Sequence, residues 1–204
     1  MLYPPPSATI KAIAHEGARS SAQKRDMEVI SMKDSVKIEF FYDYTCPYCA
    51  IGYDYLMELL PKYPRAEILW LPLEAHPRAE EPEHKPYVNL AVQGSYFLRD
   101  AGGDERAYFD RLRKAHFDER IAVDDIGVLA QCAADIGLDS EAFEKALTDG
   151  KYEEAQLKAN EYAYLTQKVW AVPTFVCGTN RLDAVGGVGI TKEQLDDLLA
   201  VCCG

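Results

Sequence analysis

The stretch Thr45-Cys46-Pro47-Tyr48-Cys49 constrains this chain more than any other. It follows Val36-Lys37-Ile38-Glu39-Phe40-Phe41-Tyr42, whose apolar residues at 36, 38, 40 and 42 have the two-residue period of a strand. It precedes Ala50 to Leu60, where Ile51, Tyr55 and Leu59 recur at helical spacing. Pro61 is expected to push Leu60 out of helical geometry and stop that helix. Two thiols three positions apart therefore sit at a strand-to-helix junction. Cys46 lies at or beside the N-cap, and Pro47 suits the first turn, where its missing N–H has no partner to lose.

The start of a helix has free N–H groups and a partial positive charge, which favour a thiolate over a thiol. The thiolate is the attacking species in disulfide exchange, so Cys46 is the expected nucleophile. Cys49, one turn later, is placed to resolve a mixed disulfide. Two blander readings compete: half of a zinc site, or a pair of buried structural cysteines. Zinc would need a second cysteine or histidine pair, and the sequence has no second C-x-x-C. No metal site is expected.

A chain of 204 residues fits one domain, or one domain with a large insertion, and 48% hydrophobic residues suffice for a substantial core. The formal charge of −11 argues against a nucleic-acid partner, which needs a basic face. No apolar run approaches the length of a membrane span, so no membrane association is expected. Six cysteines are too sparse for a disulfide scaffold in a chain this long. The first 30 residues hold no apolar stretch of signal-peptide length, and a cytoplasmic location with the other thiols reduced is expected.

Residues 1–34 read as an N-terminal extension: Tyr3-Pro4-Pro5-Pro6 cannot be helical, and Met27 or Met32 could be the biological start. After the first helix, Arg65 to Leu73 reads as a second strand. Strand, helix and strand within so short a span make a βαβ unit with parallel pairing. A Pro- and charge-rich loop follows, in which His76 and His84 are more readily solvated histidines than acid–base groups. From about Val88 to Lys168 the pattern is helical. Tyr108, Leu112 and Ala115 form one stripe. Asp124 or Asp125, and Asp139 or Ser140, are candidate N-caps, and Gly137 and Gly150 are candidate stops. A longer helix is expected to carry Tyr152, Ala155, Ala159 and Tyr162, and Cys132 reads as a packed core thiol. Val169 to Cys177 reads as a strand, Gly178-Thr179-Asn180 as a turn and Arg181 to Val185 as the returning strand. Thr191 and Gln194 form a capping box for the last helix, with Ile190 stapled on Leu195 and Leu198 and Leu199 facing the core. Cys202 and Cys203 are expected on a fraying end.

The order of these pieces, together with Phe41-Tyr42-Asp43-Tyr44-Thr45-Cys46-Pro47-Tyr48-Cys49 and Ala171-Val172-Pro173-Thr174-Phe175, resembles the DsbA-like branch of the thioredoxin superfamily. Within it the chain is similar to FrnE-type proteins and the related 2-hydroxychromene-2-carboxylate isomerases, over roughly residues 36 to 201. The resemblance implies an α/β, thioredoxin-like fold with an inserted α-helical domain. The core would comprise 35–75 and 166–204, the insertion 76–165. It implies thiol–disulfide exchange with Cys46 and Cys49 catalytic. It also implies that Pro173 is cis and lies against the cysteines, with Val172 offering its backbone to an extended peptide. Pro47 and Tyr48 complete the expected substrate surface. The partners would be protein or small-molecule thiols and disulfides. No metal or organic cofactor is implied, but glutathione is a candidate co-substrate, since glutaredoxin shares Cys-Pro-Tyr-Cys. The isomerases and kappa-class glutathione transferases carry serine at the position of Cys46, which favours disulfide exchange over their chemistry. A glutathione-dependent transferase or isomerase, and a non-enzymatic redox-sensing binding protein, are the alternatives. Phe40 stands where thioredoxin and DsbA carry a buried acid; Asp43 matches a FrnE-type position and is also placed to cap the helix start.

Overall fold

The computed structural model describes residues 35–75 and 88–204. The expectations for 1–34, including the start at Met27 or Met32, and for His76 and His84 lie outside the described residues. Val36–Gly204 form one compact unit.

Four strands make a mixed sheet in the order β2-β1-β3-β4. β1 (Val36–Tyr42) pairs parallel with β2 (Ala66–Pro72), and α1 (Pro47–Leu59) makes the crossover between them. β3 (Thr174–Cys177) runs antiparallel to β1, with Phe41 opposite Thr174, and turns back into β4 (Asn180–Asp183). Between the two halves of the sheet lie α2 (Asn89–Asp100), α3 (Glu105–Arg113), α4 (Ile126–Asp135), α5 (Ser140–Thr148) and α6 (Glu153–Glu161), and the described chain closes with α7 (Lys192–Cys203). This is the mixed α/β arrangement with a helical insertion that the pattern of elements predicts.

The strand alternation of β1 holds for Ile38, Phe40 and Tyr42 and fails at Phe41, which is also buried. The sheet is covered on both faces there. Phe41 packs with Leu73, Ala163, Val169 and Val176, while its neighbours enter the main core. That core is continuous across sheet and helical insertion. Phe109 of α3 lies against Tyr42, Tyr53 and Trp70, with centroids 5.0, 4.4 and 6.3 Å away, and Tyr108 lies 5.6 Å from Tyr44.

Several local expectations are corrected. The buried stripe of α1 is Cys49, Gly52, Tyr53, Leu56 and Leu59, whereas Ile51 is 43% exposed and Tyr55 only half-buried. Two apolar stripes interleave on this helix, and packing against β1, β2 and α3 selects the one that begins at Cys49. Leu60 keeps helical angles (φ −50°, ψ −37°) in spite of Pro61, because the chain continues as a 3₁₀ turn in which the proline needs no N–H donor; it leaves helical geometry only at Tyr63. β3 is four residues long and excludes Val169 to Pro173. Pro173 has no N–H to give to the ladder, so pairing begins after it.

The caps follow the sequence closely. Asp125 and Asp139 accept N–H bonds from Val128 and Ala142 at 2.9 and 3.0 Å, and Gly137 and Gly150 take positive φ of 86° and 66° where their helices end. The predicted long helix after Tyr152 ends at Glu161 and continues as a wider π turn, Tyr162–Thr166. Thr191 and Gln194 form the complete capping box of α7. Cys202 and Cys203 do not fray: both belong to α7, and Cys203 is buried.

Candidate active site

β1 ends at Tyr42 and delivers Asp43 to the turn before α1. The Asp43 carboxylate is buried and organises that turn: Oδ1 accepts the Thr45 N–H at 2.7 Å and the Thr45 hydroxyl at 2.8 Å, and Oδ2 accepts the Ala75 N–H at 2.9 Å. The turn thereby ties the end of β1 to the chain leaving β2. Cys46 follows as the N-cap of α1, with extended angles (φ −81°, ψ 117°), and Pro47 occupies the first turn. The Cys49 N–H points at Cys46 Sγ, 3.4 Å away.

The two thiols are held in opposite states. Donation from Cys49 lowers the pKa of Cys46, against the opposing effects of partial burial and the Asp43 charge. Cys49 is fully buried. Burial first, and then its hydrogen bond and charge interaction with Cys46, push its pKa well up. Cys46 is thus the anion-ready sulfur at the surface, and Cys49 the thiol kept protonated beneath it.

The segment before β3 closes the other side. The Val172–Pro173 peptide bond is cis, and the Val172 carbonyl accepts from the Cys46 thiol at 3.7 Å. Pro173 is buried against α1 at Gly52, where an added Cβ would stand 2.9 Å from Pro173 Cγ and 3.5 Å from Ile190 Cδ1. The structure therefore brings Cys46, Cys49, Val172 and Pro173 together. Pro47 is exposed beside them. Tyr48 points elsewhere: its hydroxyl donates to the Gly187 carbonyl at 2.7 Å, and its ring covers Gly189, whose φ of 81° and 2.9 Å clearance from Tyr48 Cδ1 exclude a larger residue. Tyr48 anchors the loop between β4 and α7.

Phe40 is fully buried and stacks on Phe175 at 4.6 Å, so β1 offers no acid at that point. Asp43 is the carboxylate whose charge reaches both Cys46 and Cys49. It also acts on His116, in the π turn Lys114–Asp118 after α3, whose pKa burial lowers and Asp43 raises. A cleft of about 620 Å³ opens beside α1 between Ala50 and this turn, with Asp110, Arg113, Lys114, Phe117 and Asp118 lining it. Among the described residues no group of three or more His, Cys, Asp or Glu could hold a metal, and no helix is long and apolar enough to cross a membrane.

The sequence model of a family described as thioredoxin matches residues 29–197. The chain belongs to the thioredoxin family. It is 26% identical over 196 residues to the protein YwbO of Bacillus subtilis strain 168, described as uncharacterized, across 80% of this chain and 97% of the relative. A probable DsbA oxidoreductase from Streptomyces coelicolor is similar in structure, with a TM-score of 0.70 at 17% identity over 82% of this chain and 90% of that one. A 2-hydroxychromene-2-carboxylate isomerase is similar at a TM-score of 0.61 and 18% identity, over 81% and 93% of the two chains. At these identities the likeness is one of fold, and this thioredoxin-family chain has the DsbA-like form of it, with helices inserted between β2 and β3.

Three features of the site go beyond the sequence reading. Gly52 is a contact point for Pro173, and its signal was a lone glycine inside a helical pattern. Tyr48 is engaged with the loop at 187–189, which spacing alone does not reveal. Asp43 spans to Ala75, and only the spacing of Asp43 and Thr45 hinted at a side-chain-bonded turn.

Proposed function

We propose that this thioredoxin-family protein is a thiol–disulfide oxidoreductase that works through its Cys-Pro-Tyr-Cys dithiol, with Cys46 attacking and Cys49 resolving. The observation that carries this reading is the split between the two sulfurs: Cys46, accessible at a helix N-cap, has a lowered pKa, and Cys49, buried below it, a raised one. In the reducing direction the Cys46 thiolate attacks one sulfur of a substrate disulfide and expels the other as a thiolate, which takes a proton from solvent. With Cys46 covalently occupied its negative charge is gone, so one of the influences that hold the Cys49 proton is removed. Cys49 then loses its proton, attacks Cys46 Sγ and releases the second substrate thiol. Two thiols of the protein become one disulfide, and one substrate disulfide becomes two thiols. The oxidising direction is the reverse, and the reduction potential decides between them.

Val172 and Pro173 are read as the substrate platform, because the Val172 carbonyl faces the attacking sulfur. An extended peptide would pair with this backbone edge, and exposed Pro47 would flank it. Protein and small-molecule disulfides are the proposed substrates, in a reducing compartment such as the cytoplasm, where the four further thiols would stay reduced. Glutathione is the proposed co-substrate, and the cleft beside Ala50 offers Lys114 to one of its carboxylates, whereas Arg113 there is already paired with Asp54.

Turnover of a protein disulfide and of a glutathione mixed disulfide by wild type, Cys46→Ser and Cys49→Ser tests the proposal. Cys46→Ser should abolish both activities, and Cys49→Ser should lose turnover of the protein disulfide. Wild-type rates in Cys46→Ser would refute it.

A further inference from the structure

Three cysteines gather at the pole of the sheet away from Cys46. β3 enters at Thr174, opposite Phe41 near the active-site end of β1, and leaves at Cys177. Four strand steps from Pro173 place Cys177 about 13 Å along the strand from the cis-proline segment. α7 runs the same way, from Ile190, which approaches Gly52, to Cys202 and Cys203 in its last turn.

These thiols are not equivalent. Cys177 is 7% exposed and is the cross-strand partner of Asn180. The Asn180 side-chain amide in turn reaches Cys202 Sγ at 3.8 Å. One residue of the hairpin thus lies opposite Cys177 and touches Cys202, and Cys202 is near enough to raise the pKa of the Cys177 thiol. Cys203 is buried one residue further along the helix, and its charge is felt by Cys177 less than that of Cys202. The cluster does not qualify as a metal site, since no three ligating groups converge among the described residues.

We infer that Cys177 and Cys202 form a second redox-active dithiol, which closes as a disulfide when the protein meets a small disulfide oxidant such as oxidised glutathione. Half-buried Cys202 is the point of entry. Its thiolate attacks the oxidant, forms a mixed disulfide and expels one small thiol. Cys177 then gives up its proton, attacks Cys202 Sγ and expels the second. Two electrons pass from the protein thiols to the oxidant, and two small thiols leave. Burial first, and then the neighbouring Cys202, push the Cys177 pKa up to about 12, so the second step is the slow one. The bond would fasten the last turn of α7 to β3 at a distance from the Cys46–Cys49 pair. The inference does not rest on the proposed function.

The test uses the full chain carrying Cys46→Ser and Cys49→Ser, so that only the remaining thiols respond. After incubation with oxidised glutathione, free thiols are alkylated and the disulfide-linked peptides are mapped by mass. The expected product has two hydrogens fewer and a Cys177–Cys202 linked peptide, with Cys132 and Cys203 alkylated on unfolding. Adding Cys203→Ser should leave the product unchanged, and adding Cys202→Ser should leave Cys177 free. A Cys202–Cys203 bond, a glutathione adduct that persists on Cys202, or four free thiols after prolonged exposure would each overturn the inference. In the chain that retains Cys46 and Cys49, Cys202→Ser should leave the turnover of a protein disulfide within about twofold. A larger loss would place Cys202 in the main exchange instead.

Discussion

At the scale of single residues, the site depends on a few close approaches that surround two sulfurs. Asp43 has two opposed effects: its three hydrogen bonds hold the turn, and its charge raises the pKa of Cys46. Asp43→Asn should separate them. The amide group must oppose an N–H donor on one side, which costs about 1–3 kcal/mol in denaturant unfolding. Loss of the charge should meanwhile move the alkylation midpoint of Cys46 further down. A midpoint that rises would show that the hydrogen bonds of the turn, not the charge, govern Cys46. In the parent protein the Cys46 alkylation rate should rise with pH through a midpoint below about 8.5, the value of an ordinary thiol, and level off above it. Gly52→Ala puts a methyl group 2.9 Å from Pro173 Cγ, so the proline must move. A loss of about 1–3 kcal/mol is expected, with slower disulfide turnover. A variant as stable and as fast as the parent would mean that this contact has slack.

Secondary-structure elements show where the sequence was legible. Start and stop signals are local, and most are legible: Asp125, Asp139 and Thr191 cap the helices they precede, and Gly137 and Gly150 end theirs, whereas Pro61 does not push Leu60 out of helical geometry. Thr191→Ala removes one half of the capping box of α7 and should cost about 1 kcal/mol in unfolding free energy. An unchanged stability would mean that tertiary packing alone fixes the start of that helix. Choices between faces are not local. Along α1, Ile51 and Tyr53 are both apolar enough for a core, and only the position of β2 and α3 decides that Tyr53 is buried. The length of β3 was overestimated for a similar reason. Val169 to Val172 has strand composition, yet the Val169 N–H bonds to the Ala163 carbonyl and leaves the ladder. The tail cysteines were misjudged because their helix is secured from its other end, by the capping box and by Leu195, Leu198 and Leu199.

On the scale of the whole molecule, the sheet and the helical insertion share one aromatic core. Phe109 is its hinge point, in contact with rings from β1, α1 and β2. Unfolding should therefore be a single cooperative transition of Val36–Gly204. Phe109→Ala should cost about 3–5 kcal/mol, and two separate transitions in the parent protein would contradict the shared core. The chain order of strand, C-x-x-C helix, strand, helices, Val-Pro-Thr and hairpin was enough to read the DsbA-like fold, and the dithiol marked the candidate site. What sequence could not supply was the set of long-range contacts that completes the site: Ala75 to Asp43, Tyr48 to Gly187 and Pro173 to Gly52. Each joins residues more than thirty positions apart, which no local pattern encodes.

The division of labour between Cys46 and Cys49 is tested most directly by trapping. Cys49→Ser protein is mixed with a protein disulfide, quenched by acid, and the covalent adduct is mapped by peptide mass. The predicted result is a single mixed disulfide at Cys46 that persists because the resolving thiol is absent. An adduct at Cys132, Cys177 or Cys202, or none while wild type turns over, would contradict the account.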